Sequence, residues 1–476
     1  MKKSSVRIEK IILENFKNVC YGSIDFSNTR KNLQSSILGI YGQNGSGKTA
    51  MIDAISILRH VICGIQVPKK YGDYINIDAK FAKLCFIFSI KAKEEEFRVW
   101  YEFCIKKVIN DNVDNRVNEE TAYGTSKEEK ELDYRVEVFD EILSFAYNGK
   151  GIKIRKNTLI NTKTSAVFLP ATKFIELVGD DKKSVTDLMV NKKYIKATSR
   201  SFIFSKEMME IFREKSSNKL YCDLIERLAD YGHRELFVIN TENNSLIGMN
   251  ALPLVFKYQE KESEAIGNIK LPLNAPALIP EGAYKYVIKV INDMNIVLEQ
   301  IVPGLTIDVK DLGTFIDNNG NPGKRIQFLS LKNNKEIPLQ YESDGIKKII
   351  SILHLLIVVY NNKSITVAID ELDAGIFEYL LGELLNIISE KGKGQLIFSS
   401  HNLRPLETID KGFVAFTTTN PNNRYIRFKN VKGNNNLRDF YYRDIVLGEQ
   451  DEEVYDPTNN SEIALAFRKA GDIFDS

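Results

Sequence analysis

The segment from Gly42 to Thr49 reads GQNGSGKT, and it constrains the fold of this chain more than any other feature. It follows an apolar run, Ile37 to Tyr41, and precedes a segment whose apolar residues recur at helical spacing. A glycine-rich loop between a strand and a helix lets backbone N–H groups approach a phosphate, and the positive end of the helix dipole faces the anion. The motif therefore predicts a phosphate-binding loop in an α/β fold.

The residue types in this loop suggest how each would contact a nucleotide. Lys48 would pair with the β- and γ-phosphates, and the hydroxyl of Thr49 would bind Mg²⁺. The alternative is a chance match in a turn, and the strand before the loop and the helix after it argue against that reading. The residues expected to surround the phosphates are Gly42, Asn44, Gly45, Ser46, Gly47, Lys48 and Thr49.

A pair of carboxylates ends the apolar segment ITVAIDE. Asp370 has the chemistry to hold a Mg²⁺ shell, and Glu371 has the chemistry to polarise an attacking water. Taken alone, a strand that ends in Asp-Glu is equally a common helix-start signal. The phosphate loop in the same chain favours the catalytic reading.

Two shorter segments supply further candidates. Ser343 and Gly345 in ESDGIKK open a helical segment, where free N–H groups could bind a phosphate or where the serine could serve only as an N-cap. His401 in SSHN follows an apolar strand and could contact a γ-phosphate, although a lone histidine at a strand end can equally be structural.

In their order along the chain, GQNGSGKT, ESDGIKK, ITVAIDE and SSHN resemble the Walker A, signature, Walker B and switch-histidine motifs of the ABC ATPase superfamily. The opening IEKIILENFKN is similar to the first strand of its chromosome-maintenance and RecF-like branch. ESDG and DELDAGIF look most like AAA-family ATPases of bacterial antiphage and abortive-infection systems, relatives of the overcoming-lysogenization-defect proteins. One example is the ATPase of the phage anti-restriction-induced system. The resemblance covers residues 5 to 60 and 340 to 405, and the middle of the chain does not contribute to it.

The resemblance implies an ABC-type P-loop ATPase head, a mixed sheet flanked by helices, that binds and hydrolyses ATP with Mg²⁺. It also implies a head-to-tail homodimer or a higher homo-oligomer, because Ser343 and Gly345 would reach the ATP of a second copy. The remaining implied roles are Lys48 at the phosphates, Thr49 and Asp370 at the metal, Glu371 as general base, His401 as γ-phosphate sensor and Asp373 in the loop that links the two sites.

Three departures from the family pattern stand out. The signature begins ESDG instead of the transporter form LSGGQ, and Phe377 stands where many relatives have histidine. The glutamine that normally touches Mg²⁺ has no clear counterpart, and Gln66 is the nearest candidate.

Spacing and composition suggest how the chain is organised. Residues 1–165 and 301–448 would form the two parts of the head, residues 166–300 an inserted, mainly helical lobe for a partner, and residues 449–476 an acidic, mobile tail. Lys48 and Ser343 lie 295 positions apart, which argues against a transporter subunit, and the gap has neither sustained heptads nor a C-x-x-C pair. Only 75 residues follow His401, so no nuclease domain is expected there.

Composition points to the cytoplasm. The five cysteines form no C-x-x-C pair, which fits a reducing compartment without structural zinc. The longest apolar run, Ile349 to Tyr360, is well short of the ~20 residues that a membrane span needs. The charges of the 65 basic and 63 acidic residues nearly cancel, so the net charge does not indicate binding to nucleic acid or to a membrane.

The leading functional hypothesis is an ATP-driven sensor and scaffold in antiphage defence. It would control a separately encoded effector and respond to a phage protein or nucleic acid. One alternative is a RecF-like ATPase acting on DNA ends or gaps, and another is a plain nucleotide-gated protein-interaction module. A basic surface that binds DNA with steep salt dependence would favour the RecF-like reading.

Overall fold

The computed structural model describes residues 4–26, 36–92, 94–109, 133–259, 264–317, 320–333, 335–429 and 436–471. Its strands are β1 (Ser5–Phe16), β2 (Val19–Asp25), β3 (Ser36–Tyr41), β4 (Ala82–Lys91), β5 (Glu95–Ile109), β6 (Tyr134–Gly149), β7 (Ile152–Asn161), β8 (Leu236–Ile239), β9 (Ala251–Gln259), β10 (Glu264–Pro272), β11 (Ala277–Pro280), β12 (Leu305–Ile316), β13 (Pro322–Lys332), β14 (Lys335–Pro338), β15 (Thr366–Ile369), β16 (Gln395–Ser399), β17 (Val414–Thr417) and β18 (Tyr425–Ile426).

Helices connect and cover these strands, and short 3₁₀ turns lie at Lys69–Tyr74, Leu339–Tyr341 and Lys411–Phe413. The α-helices are α1 (Lys48–Ile62), α2 (Ala171–Val178), α3 (Lys182–Ala197), α4 (Lys206–Lys215), α5 (Lys219–Arg234), α6 (Thr241–Gly248), α7 (Glu281–Ile301), α8 (Asp344–Asn361), α9 (Glu378–Lys391), α10 (Pro405–Thr408), α11 (Leu437–Leu447) and α12 (Asn460–Gly471). The expected mixed α/β fold, with sheets flanked by helices, is confirmed.

A mostly parallel sheet lies at the centre of the molecule. Its strand order is β18-β17-β3-β16-β15-β8, with β18 antiparallel to β17 and every other pairing parallel. Successive side chains of a strand point to opposite faces, so Leu38 and Ile40 of β3 join one hydrophobic core, and Ile37 and Tyr41 join the other. The carboxyl ends of β3, β16, β15 and β8 therefore meet at one edge, where ligands bind in sheets of this type.

An antiparallel sheet packs against the first core. Its order is β2-β1-β4-β5-β6-β7, and every second residue along much of β1 is buried. The sequence predicted a strand pair from IEKIILENF and YGSIDF, and β1 and β2 form it, with Phe16 opposite Val19 at the turn. The sheet buries α1 between itself and the parallel sheet, because side chains of all three belong to one core.

The middle of the chain differs from the mainly helical lobe expected at residues 166–300. Helices α2 to α5 bury apolar side chains such as Leu177, Leu188 and Leu224 in the same core as α1 and the antiparallel sheet. Strands β8 to β11 also lie within this segment, and β8 is an edge strand of the parallel sheet. Apolar periodicity identified the helices, but it could not tell which core they join.

The acidic segment after residue 449 also differs from expectation, because its first part packs on the head. Val454 is buried in the second core, and the N–H of Thr419 donates to the carbonyl of Glu453 at 2.8 Å. The carboxylate of Glu452 accepts from the side chains of Asn420 and Asn423, both at 2.9 Å. Each helix in the described part of the chain is too short or too polar to span a membrane.

A buried carboxylate joins the helical segment to the antiparallel sheet. Glu141 on β6 is 1% exposed, and burial raises the pKa of its carboxyl group. Its oxygens accept from the hydroxyl of Tyr101 at 2.7 Å, the N–H of Phe202 at 2.7 Å and the hydroxyl of Ser201. These bonds fix the loop between α3 and α4 to the sheet.

We expect Glu141→Ala to lower the free energy of unfolding by about 3 kcal/mol, because it leaves several buried donors without an acceptor. Trp100, the only tryptophan of the chain, lies on β5 and reports unfolding of this sheet by fluorescence in urea. The matched control is Glu102→Ala, whose carboxylate pairs with Lys83 at a partly exposed site and should cost less than about 1 kcal/mol. Equal effects of the two substitutions would contradict the role of Glu141.

Candidate nucleotide-binding site

The phosphate loop follows β3 and begins α1, as the sequence predicted. Gly42, Gly45 and Gly47 all have positive φ, of 149°, 74° and 98°. A side chain at Gly42 could not be accommodated, because its Cβ would lie 1.8 Å from Oγ1 of Thr417. Gly47 is the N-cap residue of α1 and no side chain caps that end, so the first N–H groups of the helix face the loop.

Lys48 lies folded beneath this loop. Its ammonium group donates to the carbonyls of Gly42 at 2.8 Å and Gln43 at 2.9 Å, and the residue is 6% exposed. Burial lowers the pKa of Lys48 to about 8, and the negative charges of Asp370 and Glu371 act in the opposite direction. A buried cation whose described hydrogen bonds go to two carbonyl groups is well placed to pair with an anion in the loop.

Residues outside the motif hold the loop in place. The side-chain amide of Asn18, in the β1–β2 turn, donates to the carbonyl of Gly45. Arg424 donates to the carbonyl of Asn18 at 2.7 Å, and the hydroxyl of Tyr425 donates to the carbonyl of Gly47 at 2.8 Å. No sequence motif marks these residues, and the contacts of Arg424 and Tyr425 span hundreds of positions.

The carboxylate of Asp370 is fully buried at the end of β15. The hydroxyl of Thr49 donates to its Oδ1 at 3.4 Å, and the hydroxyl of Ser399, at the end of β16, donates to the same oxygen. The hydroxyl of Thr241 donates to Oδ2 at 2.6 Å. The structure thus brings together the two predicted metal ligands, Thr49 and Asp370, and these hard oxygen donors fit Mg²⁺.

In the part of the chain that the structure describes, no three His, Cys, Asp or Glu side chains converge on a metal position. This does not conflict with the predicted cofactor, because Mg²⁺ is commonly held by one or two carboxylates together with waters and substrate phosphates.

Thr241 is a site residue that no sequence motif marks. It begins α6 directly after β8, the strand next to β15, so its side chain lies at the same edge as Asp370. The candidate named from sequence, Gln66, is exposed and follows the far end of α1, which is about 22 Å long. The structure therefore does not bring Gln66 to the site. The local signal is an apolar LFVI run followed by Asn-Thr, which is too short to show that this strand lies next to β15.

Glu371 and His401 lie on loops that hydrogen bonds hold in place. Glu371 has a left-handed backbone, with φ of 48°, and its N–H donates to the hydroxyl of Ser399 at 2.8 Å. The carboxylate of Asp373 accepts from the N–H groups of His401 at 3.0 Å and Asn402 at 2.9 Å. Asp373 therefore orders the loop that carries His401, while contact of that imidazole with a γ-phosphate stays a prediction.

Ser343 and Gly345 lie at the start of α8. The hydroxyl of Ser343 accepts from the N–H of Ile346 at 3.3 Å, so the N-cap reading of this residue is observed. Gly345 packs against the loop after β15, where its Cβ would lie 2.1 Å from the carbonyl oxygen of Gly375. The phosphate loop follows β3, which β16 separates from β15 in the sheet. Binding of a second copy's ATP by Ser343 stays a prediction.

A glycine loop over a buried lysine, facing a buried aspartate across one strand, defines a P-loop nucleotide-binding protein. A family model described as "AAA ATPase domain" matches residues 7–404, and the chain belongs to this family. The match contains the four segments identified from the sequence. A search of curated protein sequences found no match to this chain.

Several solved structures are similar to this chain at low identity. The SMC head bound to the C-terminal winged-helix domain of ScpA has 13% identity and a TM-score of 0.40, covering 89% of this chain and 98% of that one. The SMC head domain from Thermotoga maritima has 13% identity and a TM-score of 0.36, covering 89% and 99%. The recombination mediator RecF has 13% identity and a TM-score of 0.32, covering 83% and 93%.

The hydroxyl of Thr241 can be tested as a positioning group for Asp370. We expect Thr241→Val, which keeps the shape and removes the donor, to lower Mg²⁺ affinity or turnover by about 10- to 100-fold. Thr241→Ser keeps the hydroxyl and should stay close to wild type. Turnover measured as a function of Mg²⁺ concentration separates the two effects. An unchanged Mg²⁺ requirement and rate in Thr241→Val would contradict the role.

The two adjacent carboxylates should differ in effect. Asp370→Asn should weaken Mg²⁺-dependent nucleotide binding, because it removes charge from the metal position. Glu371→Gln should keep ATP bound while turnover falls by about 10² or more, because an amide cannot accept a proton from water. Equilibrium binding of ATP and phosphate release measure the two properties separately. Normal hydrolysis by Glu371→Gln would show that another residue acts as the general base.

Proposed function

We propose that this chain is a Mg²⁺-dependent ATPase whose active site is completed by a second copy of itself. The observation that carries the proposal is the position of the α8 N-terminus. Its cap residue Ser343 is exposed, and Gly345 packs on the loop after β15 instead of on its own phosphate loop. The exposed end of α8 offers N–H groups and a positive dipole to an anion from outside the chain.

Within one copy, the described contacts support separate roles for the residues around the phosphates. Lys48 and the loop N–H groups would bind and orient the β- and γ-phosphates, while Thr49 and Asp370 would hold Mg²⁺, which neutralises phosphate charge when bound. Glu371 would accept the proton of the attacking water. Its N–H is fixed by the hydroxyl of Ser399, which also donates to Asp370. One serine therefore sets the relative position of the metal ligand and the base.

We further propose that ATP hydrolysis serves sensing and effector control in bacterial antiphage defence, in the cytoplasm. The support is the likeness of ESDG and DELDAGIF to the ATPases of such systems. The effector would be a separate polypeptide, and a phage protein or nucleic acid would be the trigger.

Plaque formation on cells that carry this gene with its neighbours tests the biological role. Protection that disappears with Lys48→Ala supports ATP-dependent defence. Unchanged plaque numbers, together with ATP hydrolysis stimulated by gapped DNA and steeply reduced by salt, would favour the RecF-like alternative.

The shared active site can be tested by mixing two inactive variants. Lys48→Ala removes the cation at the β- and γ-phosphates, and Ser343→Arg blocks the exposed end of α8. Each variant alone should be inactive. A mixed dimer keeps one intact site, so mixing should restore hydrolysis in proportion to the share of mixed dimers.

The matched control for Ser343→Arg is Ser217→Arg, at an exposed serine between α4 and α5, which should hydrolyse ATP at the wild-type rate. Phosphate release over a range of mixing ratios is the measurement. Full activity of strictly monomeric protein, or the absence of any recovery on mixing, would refute the shared site.

A further inference from the structure

We propose that α12 docks on a second copy of this chain and acts as a clasp across the shared ATP site. The inference rests on the proposed function, since it requires two copies to meet at the phosphate loops. Its starting point is that α12 is amphipathic and that every residue from 460 to 471 is exposed.

The sequence around α12 favours a helix, but none of the side chains of α12 is buried. Its N-terminus is capped by the side chain of Asn459, which accepts from the N–H groups of Ser461 at 3.1 Å and Glu462 at 3.3 Å. Ile463 and Phe467 are one turn apart on the same face and are 42% and 76% exposed. A helix of this length is marginal in water without packing, so this apolar face calls for a partner.

Hydrogen bonds place the start of this helix at the rim of the phosphate loop. The N–H of Asp456 donates to the side-chain oxygen of Gln43 at 3.0 Å, and the side-chain amide of Gln43 donates back to the carbonyl of Asp456 at 3.3 Å. Asn459 follows three residues later, so α12 begins within about 11 Å of that contact. Gln43 is the second residue of the phosphate loop, so α12 projects from the position where a second copy would approach.

The surface of a second copy that would face α12 carries exposed aromatic and acidic residues. We define the signature face as Tyr341, Asp344, Phe377 and Glu378, which lie within four residues of Gly345 or Gly375, the two glycines that are in contact. Tyr341 and Phe377 are 72% and 70% exposed, and both acidic residues are exposed.

The α12 helix offers complementary groups to this face. Its stripe is apolar, and its last turn carries the basic residues Arg468 and Lys469. Aromatic rings can cover the Ile463–Phe467 stripe while the carboxylates pair with the basic turn. A second copy is therefore the occupant that fits, because the same dimer that brings Ser343 to the phosphates also brings this face to α12.

The measurement is sedimentation velocity of the full chain with Mg²⁺ and a non-hydrolysable ATP analogue. We expect Phe467→Asp to raise the dimer dissociation constant by about tenfold or more, since it places a charge in the apolar contact. The matched control is Leu465→Asp on the opposite side of α12, where Leu465 is 50% exposed. This control should stay within about twofold of wild type.

The partner side is tested with Phe377→Asp, which should weaken dimers as Phe467→Asp does. A mixture of the two variants keeps one intact contact in each mixed dimer and should associate more tightly than either variant alone. Both substitutions lie at exposed positions, so binding of a fluorescent ATP analogue by monomers should be unchanged, and this confirms that the variants fold.

The outcomes separate this inference from the proposed function. Wild-type protein that stays monomeric with the analogue would overturn the proposed function and this inference with it. If wild-type protein and Phe467→Asp dimerise equally well, the proposed function stands, but α12 does not dock on the second copy and must have another partner. Equal weakening by Leu465→Asp would overturn the assignment of the docking face.

Discussion

The fully buried carboxylate of Asp370 is the constraint on which the rest of the site depends. A buried carboxylate without partners costs several kcal/mol, so the surrounding chain has to supply donors. Three hydroxyls do so, and each comes from a different strand end: Thr49 after β3, Ser399 at the end of β16 and Thr241 after β8. A slip of β16 by one residue would turn Ser399 to the other face of the sheet. A shift of β3 or β8 would displace the helix starts that carry Thr49 and Thr241. The register of the sheet and the geometry of the site are therefore one requirement.

Neutral hydroxyl donors satisfy the lone pairs of Asp370 without cancelling its charge. A divalent cation would neutralise that charge in a place from which water is largely excluded, and this favours Mg²⁺ at the edge of the sheet. Lys48 adds a positive charge on the other side of the same opening. The site thus pairs a cation-binding edge with an anion-binding loop, as a complex of Mg²⁺ with a nucleotide polyphosphate requires.

The parts of the site that the sequence could predict are those encoded by neighbouring residues. GQNGSGKT between an apolar strand and an amphipathic helix, and ITVAIDE at a strand end, combine local periodicity with turn and charge signals. The β1–β2 pair was predictable for the same reason, because its buried and exposed positions alternate.

The remaining parts depend on contacts between distant segments, and periodicity carries no information about those. Strand β8 has four residues, too few for a periodic signal, so Thr241 could not be assigned to the metal edge. Tyr425 donates to the carbonyl of Gly47 in the phosphate loop, and Arg424 donates to the carbonyl of Asn18 in the β1–β2 turn, and any sequence offers such backbone carbonyls equally. The segment after residue 449 packs through the buried side chain of Val454 and through hydrogen bonds to distant residues such as Asn420, although its acidic composition is typical of a mobile tail.

The loop after Asp370 is in contact with both sides of the proposed shared site. Asp373 binds the backbone that carries His401, and two residues later Gly375 touches Gly345 at the start of α8. Neither glycine has a side chain, so there is no rotamer between the two backbones that could absorb a displacement. Packed interiors transmit strain because they have few voids, and α8 buries most of its length in the second core. Movement of this loop would therefore have to move the end of α8 with it. If His401 contacts a γ-phosphate as predicted, this packing would couple the exposed Ser343 to the nucleotide bound by its own chain.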